Sequence, residues 1–197
     1  SPTAIWAVRS AGIDPATGQE LFIKKDGTYS FTYNVEDEVV VGDTQPKVEG
    51  ILGTTLYFKG FTAGCHFRYR FGGQVFNTSL FQKVENIGTE DVYNNQDKRA
   101  LYDRWSESNR DACFKGISMV QRTEKSSRFV MDDNALIGES FNLGYEFPDR
   151  LIRRMRISAL NLQLTMTDVF RATSVRVERG IDYPFARTVT MAVGITF

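Results

Sequence analysis

The sequence predicts an all-β protein whose long antiparallel strands form part of a transmembrane β-barrel carrying long loops. Three observations predict it. Several segments alternate apolar and polar residues with period two. The best apolar faces carry no Lys or Arg. The connections between the segments alternate between short and long.

A weak alternation over Ala4–Arg9 predicts the first strand. Ile51–Phe58 and the segment from Phe61 to Phe71 follow. Phe61, Ala63, Cys65, Phe67, Tyr69 and Phe71 share one face, and Thr62, Gly64, His66, Arg68 and Arg70 the other, because successive strand side chains point to opposite sides. Lys59-Gly60 between them fits a tight hairpin turn, with Phe58 opposite Phe61 on the side of Leu56 and Leu52. Further on, Phe141, Leu143, Tyr145 and Phe147 alternate with Ser140, Asn142, Gly144 and Glu146. Leu160, Leu162, Leu164 and Met166 alternate with Asn161, Gln163, Thr165 and Thr167. The last strand runs from Thr188 to Phe197, with Val189, Met191, Val193, Ile195 and Phe197 on its apolar side. The count is about six strands.

Lipid suits the apolar side better than a protein core does. A Lys or Arg at the lipid midplane costs about 2–4 kcal/mol, and none is found there. Glu139 and Asp168 fall in phase with the apolar residues but at strand ends, where interfaces are expected. The polar faces, with His66, Arg68, Arg70, Asn142, Glu146, Asn161 and Gln163, need too many buried partners for a small closed barrel. A wide lumen holding water or a plug satisfies them. Lys59-Gly60 and Pro148–Arg156 are short connections. Ser10 to about Glu49, Asn77 to about Asn134, and Arg171–Arg187 are long. Short turns are periplasmic and long loops extracellular in bacterial outer-membrane barrels. A periplasmic C-terminus puts every long loop outside.

Composition narrows the alternatives. A chain of 197 residues with net charge +0 gives no general reason to expect nucleic acid. No apolar run approaches the roughly 18 residues of a membrane helix. A single His excludes a multi-histidine metal site. Cys65, on the lipid face, and Cys113, in a loop, are not expected to bridge. Ser1-Pro2-Thr3-Ala4 does not read as a signal peptide. Asp132-Asp133 and Glu36-Asp37-Glu38 do not set the carboxylate separation that glycosidases need. Calcium-loop spacing, phosphate loops and a Gly-x-Ser-x-Gly nucleophile are missing from the sequence. No catalytic residue, cofactor, metal or enzymatic activity is expected.

Three groups of residues are candidate sites. His66, Arg68 and Arg70 form a basic lumen stripe that could bind an acidic substrate; the plainer reading pairs it with plug or neighbouring acids such as Glu146. Tyr102, Arg104 and Trp105 lie in the longest loop and suit sugar stacking or interface anchoring; the plainer reading has Trp105 pack that loop onto its neighbours. Phe197, with Ile195 and Val193 on the same face, resembles the terminal signal read by barrel-assembly machinery. Tyr183-Pro184-Phe185 and the basic turn Arg150–Arg156 read as loop-shaping and solvated elements.

An ordered set of short stretches resembles the C-terminal part of SusC/RagA-like TonB-dependent transporters of Bacteroidetes. They are Ala11-Gly12-Ile13-Asp14-Pro15-Ala16-Thr17-Gly18, Gly42-Asp43-Thr44-Gln45-Pro46-Lys47, Tyr57-Phe58-Lys59-Gly60-Phe61 and Phe71-Gly72-Gly73-Gln74-Val75-Phe76-Asn77. Then come Asp97-Lys98-Arg99-Ala100-Leu101-Tyr102-Asp103-Arg104-Trp105, Ser127-Arg128-Phe129-Val130, and Glu178-Arg179-Gly180-Ile181-Asp182-Tyr183-Pro184-Phe185-Ala186-Arg187. The resemblance implies the final strands of a plugged 22-stranded barrel. It implies uptake of glycans or peptides, driven by the TonB complex, beneath a SusD-like lipoprotein lid. Residues 1–197 carry no recognisable plug domain or TonB-contacting segment. About six strands cannot close a membrane barrel, whose smallest form has about eight. The remaining barrel and plug are therefore expected in another chain or segment, since open edges in lipid cost several kcal/mol per unpaired group. The competing reading is a secreted carbohydrate-binding β-sandwich, in which the Phe-rich faces pack on each other.

Overall fold

In the computed structural model, which describes residues 1–117, 122–153, 156–175 and 187–197, the period-two segments are strands. In chain order they are β1 (Ala4–Ile13), β2 (Glu20–Ile23), β3 (Tyr29–Ser30), β4 (Glu38–Asp43), β5 (Val48–Phe58), β6 (Phe61–Phe76), β7 (Val130–Glu146), β8 (Ala159–Thr173) and β9 (Thr188–Thr196). They form two antiparallel sheets, and among the described residues neither sheet closes into a barrel. The sequence shows no internal boundary, yet the chain divides into two compact units. The first comprises Ser1–Gln45 and Gly73–Asp132, with Val175; the second comprises Pro46–Gly72, Asp133–Ser174 and the described C-terminal residues.

The second unit holds the sheet β5-β6-β7-β8-β9. Lys59 (φ 46°) and Gly60 (φ 85°) both adopt left-handed backbone, the geometry of the tight turn whose twist matches a hairpin. Phe58 pairs with Phe61, Leu56 with Ala63 and Leu52 with Phe67, as the alternation requires. Gly60 is constrained twice, because a Cβ there would lie 2.7 Å from the Glu146 carbonyl oxygen. Across the sheet, Leu143 pairs with Leu164 and Leu164 with Met191; Tyr145 pairs with Leu162 and Leu162 with Val193. Direct cross-strand partners share a face, so the apolar residues form one continuous wall. Rings join it: Phe61 and Tyr145 lie 4.3 Å apart, and Phe67 and Phe141 5.6 Å. The wall is exposed, with Leu56 66% and Met191 68% accessible. The short connection after β7 is a single helical turn (Asp149–Ile152), with Ile152 buried.

One irregularity corrects the sequence reading. Gly138 pairs with Phe170 but Ser140 with Thr167, so Asp168 and Val169 both oppose Glu139. Asp168 takes up the extra residue in left-handed backbone (φ 53°), which Asp tolerates better than most side chains. The bulge reverses the alternation of β7. Phe141 meets Phe67 on the apolar face, whereas Glu139 meets Arg68 on the polar one. Glu139 is therefore not an interfacial acid on the apolar wall.

The first unit holds the sheet β3-β2-β1-β4. The alternation suggests about six strands, and the described residues form nine in two sheets. Ala4–Arg9 is part of a strand, but it is central to this separate sheet, and the expected long loop Ser10–Glu49 contains β2, β3 and β4. β2 and β3 are four and two residues long, too short to show a period. Glu20, in β2, is buried and so runs against any polarity pattern. The β1–β2 connection is closed by Asp14, whose side chain accepts from the Thr17 hydroxyl at 2.6 Å, while Gly18 N–H donates to the Asp14 carbonyl at 2.8 Å. That hydroxyl holds the Asp14 carboxyl below its usual pKa.

Between β6 and β7 the chain forms short helical turns, among them α1 (Thr78–Leu80) and α2 (Arg99–Tyr102). The Asn77 side chain caps α1 by accepting from Leu80 N–H at 2.9 Å. These turns gather Leu80, Phe81, Val84, Ala100, Phe114 and Phe129 into a hydrophobic core, against which Phe76, Ile87 and Met131 pack.

Candidate functional site

The basic stripe lies on the polar face of β6. Arg68 Nε lies 2.6 Å from Glu139 Oε1, Arg70 Nη2 lies 2.6 Å from Asp133 Oδ2, and His66 Nδ1 lies 3.2 Å from the Ser140 hydroxyl. The three side chains stand in a row because β6 is a regular strand there, and β7 supplies all their partners. The acids are Glu139 and Asp133, not Glu146, because the bulge turns them onto this face. Both ion pairs are partly exposed, and such pairs contribute about 0–1 kcal/mol.

Tyr102, Arg104 and Trp105 belong to the first unit and have separate environments. Tyr102 ends α2 and is exposed. Arg104 is buried: its guanidinium donates to the carbonyls of Val84, Glu85 (2.8 Å) and Lys115 (3.2 Å). Burial lowers its pKa, against the attraction of Glu85. With both terminal nitrogens occupied by backbone, it ties 84–85 to 115. Trp105 Nε1 donates to the Pro15 carbonyl at 3.0 Å, and its ring fills the space beside Gly18, where a Cβ would overlap the ring. Gly18, at φ 69°, suits both demands.

Sequence reasoning missed the strongest polar constellation. Arg128 bridges two buried carboxylates, lying 3.1 Å from Glu20 and 3.0 Å from Glu85. The Ser126 hydroxyl donates to Glu20 at 2.5 Å and the Thr123 hydroxyl to Glu85 at 2.8 Å. Arg128 also donates to the Cys113 carbonyl and stacks over the Phe129 ring at 4.6 Å. Burial alone would lower its pKa; Glu20 and Glu85 outweigh that and raise it. In the sequence, Ser127–Val130 carries a family resemblance but no chemical motif.

Beside this network lies a cleft of about 850 Å³ lined by residues from 82–104, by 115–117 and by Arg122, also unmarked by any motif. Ile87, Val92, Leu101 and Ile117 line it together with Arg104 and Lys115. Burial lowers the pKa of Lys115, partly offset by Glu85 and Glu20.

Phe197 is 88% exposed, just beyond β9, and Val193 and Ile195 are exposed on the same strand. Tyr183-Pro184-Phe185 and Glu178–Ala186 lie outside the described residues, as do two residues of the basic turn 150–156. Both cysteines are free thiols. Among the described residues, no group of three potential metal ligands comes together, and no helix is long and apolar enough to cross a membrane.

No protein-family model matches the chain, and no curated protein matches it. Solved structures do. A chain of the RagAB peptide importer in its "open-open" state matches 98% of this chain with a TM-score of 0.79 at 19% identity. Chains from a RagAB peptide transporter structure and from the importer's "closed-closed" state each match 87%, with TM-scores of 0.73 and 0.71 at 19% and 20% identity. The match covers 22%, 19% and 20% of those chains, so this chain spans about a fifth of their length. Over nearly all of its length, the chain therefore has the fold of a portion of the RagAB peptide-importer chains.

Proposed function

We propose that this chain is part of an outer-membrane, TonB-dependent nutrient importer of the SusC type, taking up peptides or glycans with a SusD-like lipoprotein lid. The observation that carries it is the continuous apolar wall of β5–β9, exposed to at least half at Leu56, Met191 and Val193, on a fold shared with peptide-importer chains. A soluble protein rarely leaves so large an apolar face in water; lipid accepts it. β5 and β9 are the edges of the described sheet, and in lipid their unpaired backbone groups need neighbours. The rest of the barrel and its plug supply them in this reading. The long connections are then extracellular and the C-terminus periplasmic. Phe197, Ile195 and Val193 serve barrel assembly, and the His66–Arg70 stripe faces the lumen. Peptide is the preferred cargo, because the similar solved chains come from a peptide importer. Those neighbours are peptide-importer chains, which supports a transport role.

Cell fractionation tests the reading. The chain should stay with the outer membrane, be released only by detergent, and co-purify with the sequence that completes the barrel. Deleting Phe197 should lower the inserted amount. Release of folded chain by buffer alone would instead favour the carbohydrate-binding β-sandwich.

A further inference from the structure

The cleft of the first unit is large enough for a small ligand, since such sites span about 300–1,000 Å³. Its walls combine apolar surface with charged side chains of both signs. Of the lining acids, Glu85 is held by Arg128 and Thr123, and Asp97 is paired with Arg99 at 3.0 Å; Asp91 is exposed. Of the lining cations, Arg104 contacts backbone carbonyls and no carboxylate. Lys115 and Arg122 make no side-chain hydrogen bond or ion pair among the described residues. Lys115 is half-buried, and although Glu85, Glu20 and Glu124 attract it, none forms an ion pair with it; a partly dehydrated cation attracts an anion more strongly than one in water. Exposed Ile117 (74%) and Leu101 (69%) provide an apolar surface on the same cleft, with Val92 and Ile87.

We propose that this cleft binds a small amphipathic carboxylate, its apolar body against Ile87, Val92, Leu101 and Ile117 and its carboxylate at Lys115. The C-terminal end of a short apolar peptide has this chemistry, and so does a free aliphatic acid. Only the preference for the peptide source rests on the transport reading.

Calorimetry on the whole folded protein tests it with three probes: the dipeptide Leu-Leu, its C-terminal amide, and octanoate. The dipeptide acid should bind, and amidation should weaken it at least about tenfold, the scale of one charge-assisted hydrogen bond. Lys115→Met should cost a similar factor, Lys115→Arg should restore most of the binding, and Leu101→Asp should abolish it. The amide arm uses unaltered protein, so misfolding of a variant cannot mimic its result. Equal binding of acid and amide overturns the role of Lys115, and no binding by any probe overturns the site. Octanoate binding without dipeptide binding supports the carboxylate site and names the free acid as its source. None of these readouts needs uptake, so the transport reading can fail in fractionation while this site stands.

Discussion

The aromatic side chains of the first unit and those of the second touch at similar distances but have different surroundings. In the first, Phe81 and Phe129 lie 5.1 Å apart, Phe76 and Phe81 5.5 Å, and Phe129 is wholly buried. In the second, Phe61 and Tyr145 lie 4.3 Å apart and Phe67 and Phe141 5.6 Å, yet Phe61 remains 51% exposed. The first set comes from helical turns and strand ends that converge, so its rings cover one another on several sides. The second set comes from one side of a sheet, so its rings touch sideways and leave their outer faces free. The polar groups differ in the same way. Arg128 and its two acids are buried together, whereas Arg68 and Glu139 form a pair open to solvent. One unit is stabilised from within; the other depends on what covers its face.

Three changes would break or sharpen that contrast. The largest effect is expected in the first unit. Arg128→Met leaves Glu20 and Glu85 buried without their cation, which costs about 3–5 kcal/mol. Residues 77–129 should become sensitive to limited proteolysis; undiminished protection would mean that the Phe129 core holds the region unaided. Next, Leu164→Lys on the apolar wall should cost about 2–4 kcal/mol if that wall faces the lipid midplane, but within about 0.5 kcal/mol if it faces water. Heat stability compared in lipid vesicles and in buffer separates the two. The smallest effect is expected from Arg68→Gln. Breaking its pair with Glu139 should change stability by about 0–1 kcal/mol and by less in high salt, where exposed pairs are screened. A loss matching that of Arg128→Met would show that the stripe is buried by a partner.

The likeness to peptide-importer chains and the exposed wall are different properties of the same fold. The first is a property of the backbone path, the second of which side chains the path leaves uncovered. Neither depends on the paired basic stripe, which was the most visible polar feature of the sequence. In that stripe Arg68 is held by Glu139 and Arg70 by Asp133. Lys115 and Arg122, which have no ion pair among the described residues, line the first unit's cleft.

The sequence by itself determined the second unit's sheet. Its hairpin at Lys59-Gly60, the pairing of Phe58 with Phe61 and the shared face of Leu143, Leu164 and Met191 all follow from a two-residue period, which is local and is read from neighbouring residues. The tertiary structure decided what locality does not carry. The bulge at Asp168 turned Glu139 to the opposite face, through one extra residue that leaves no mark on composition. The sheet of β1–β4 includes β2 and β3, which are too short to show a period. Arg128 found Glu20, 108 positions away in the chain, and Glu85, 43 positions away, because the chain folds back on itself. The cleft exists for the same reason: its lining comes from separate stretches, and no stretch alone has the shape of a pocket.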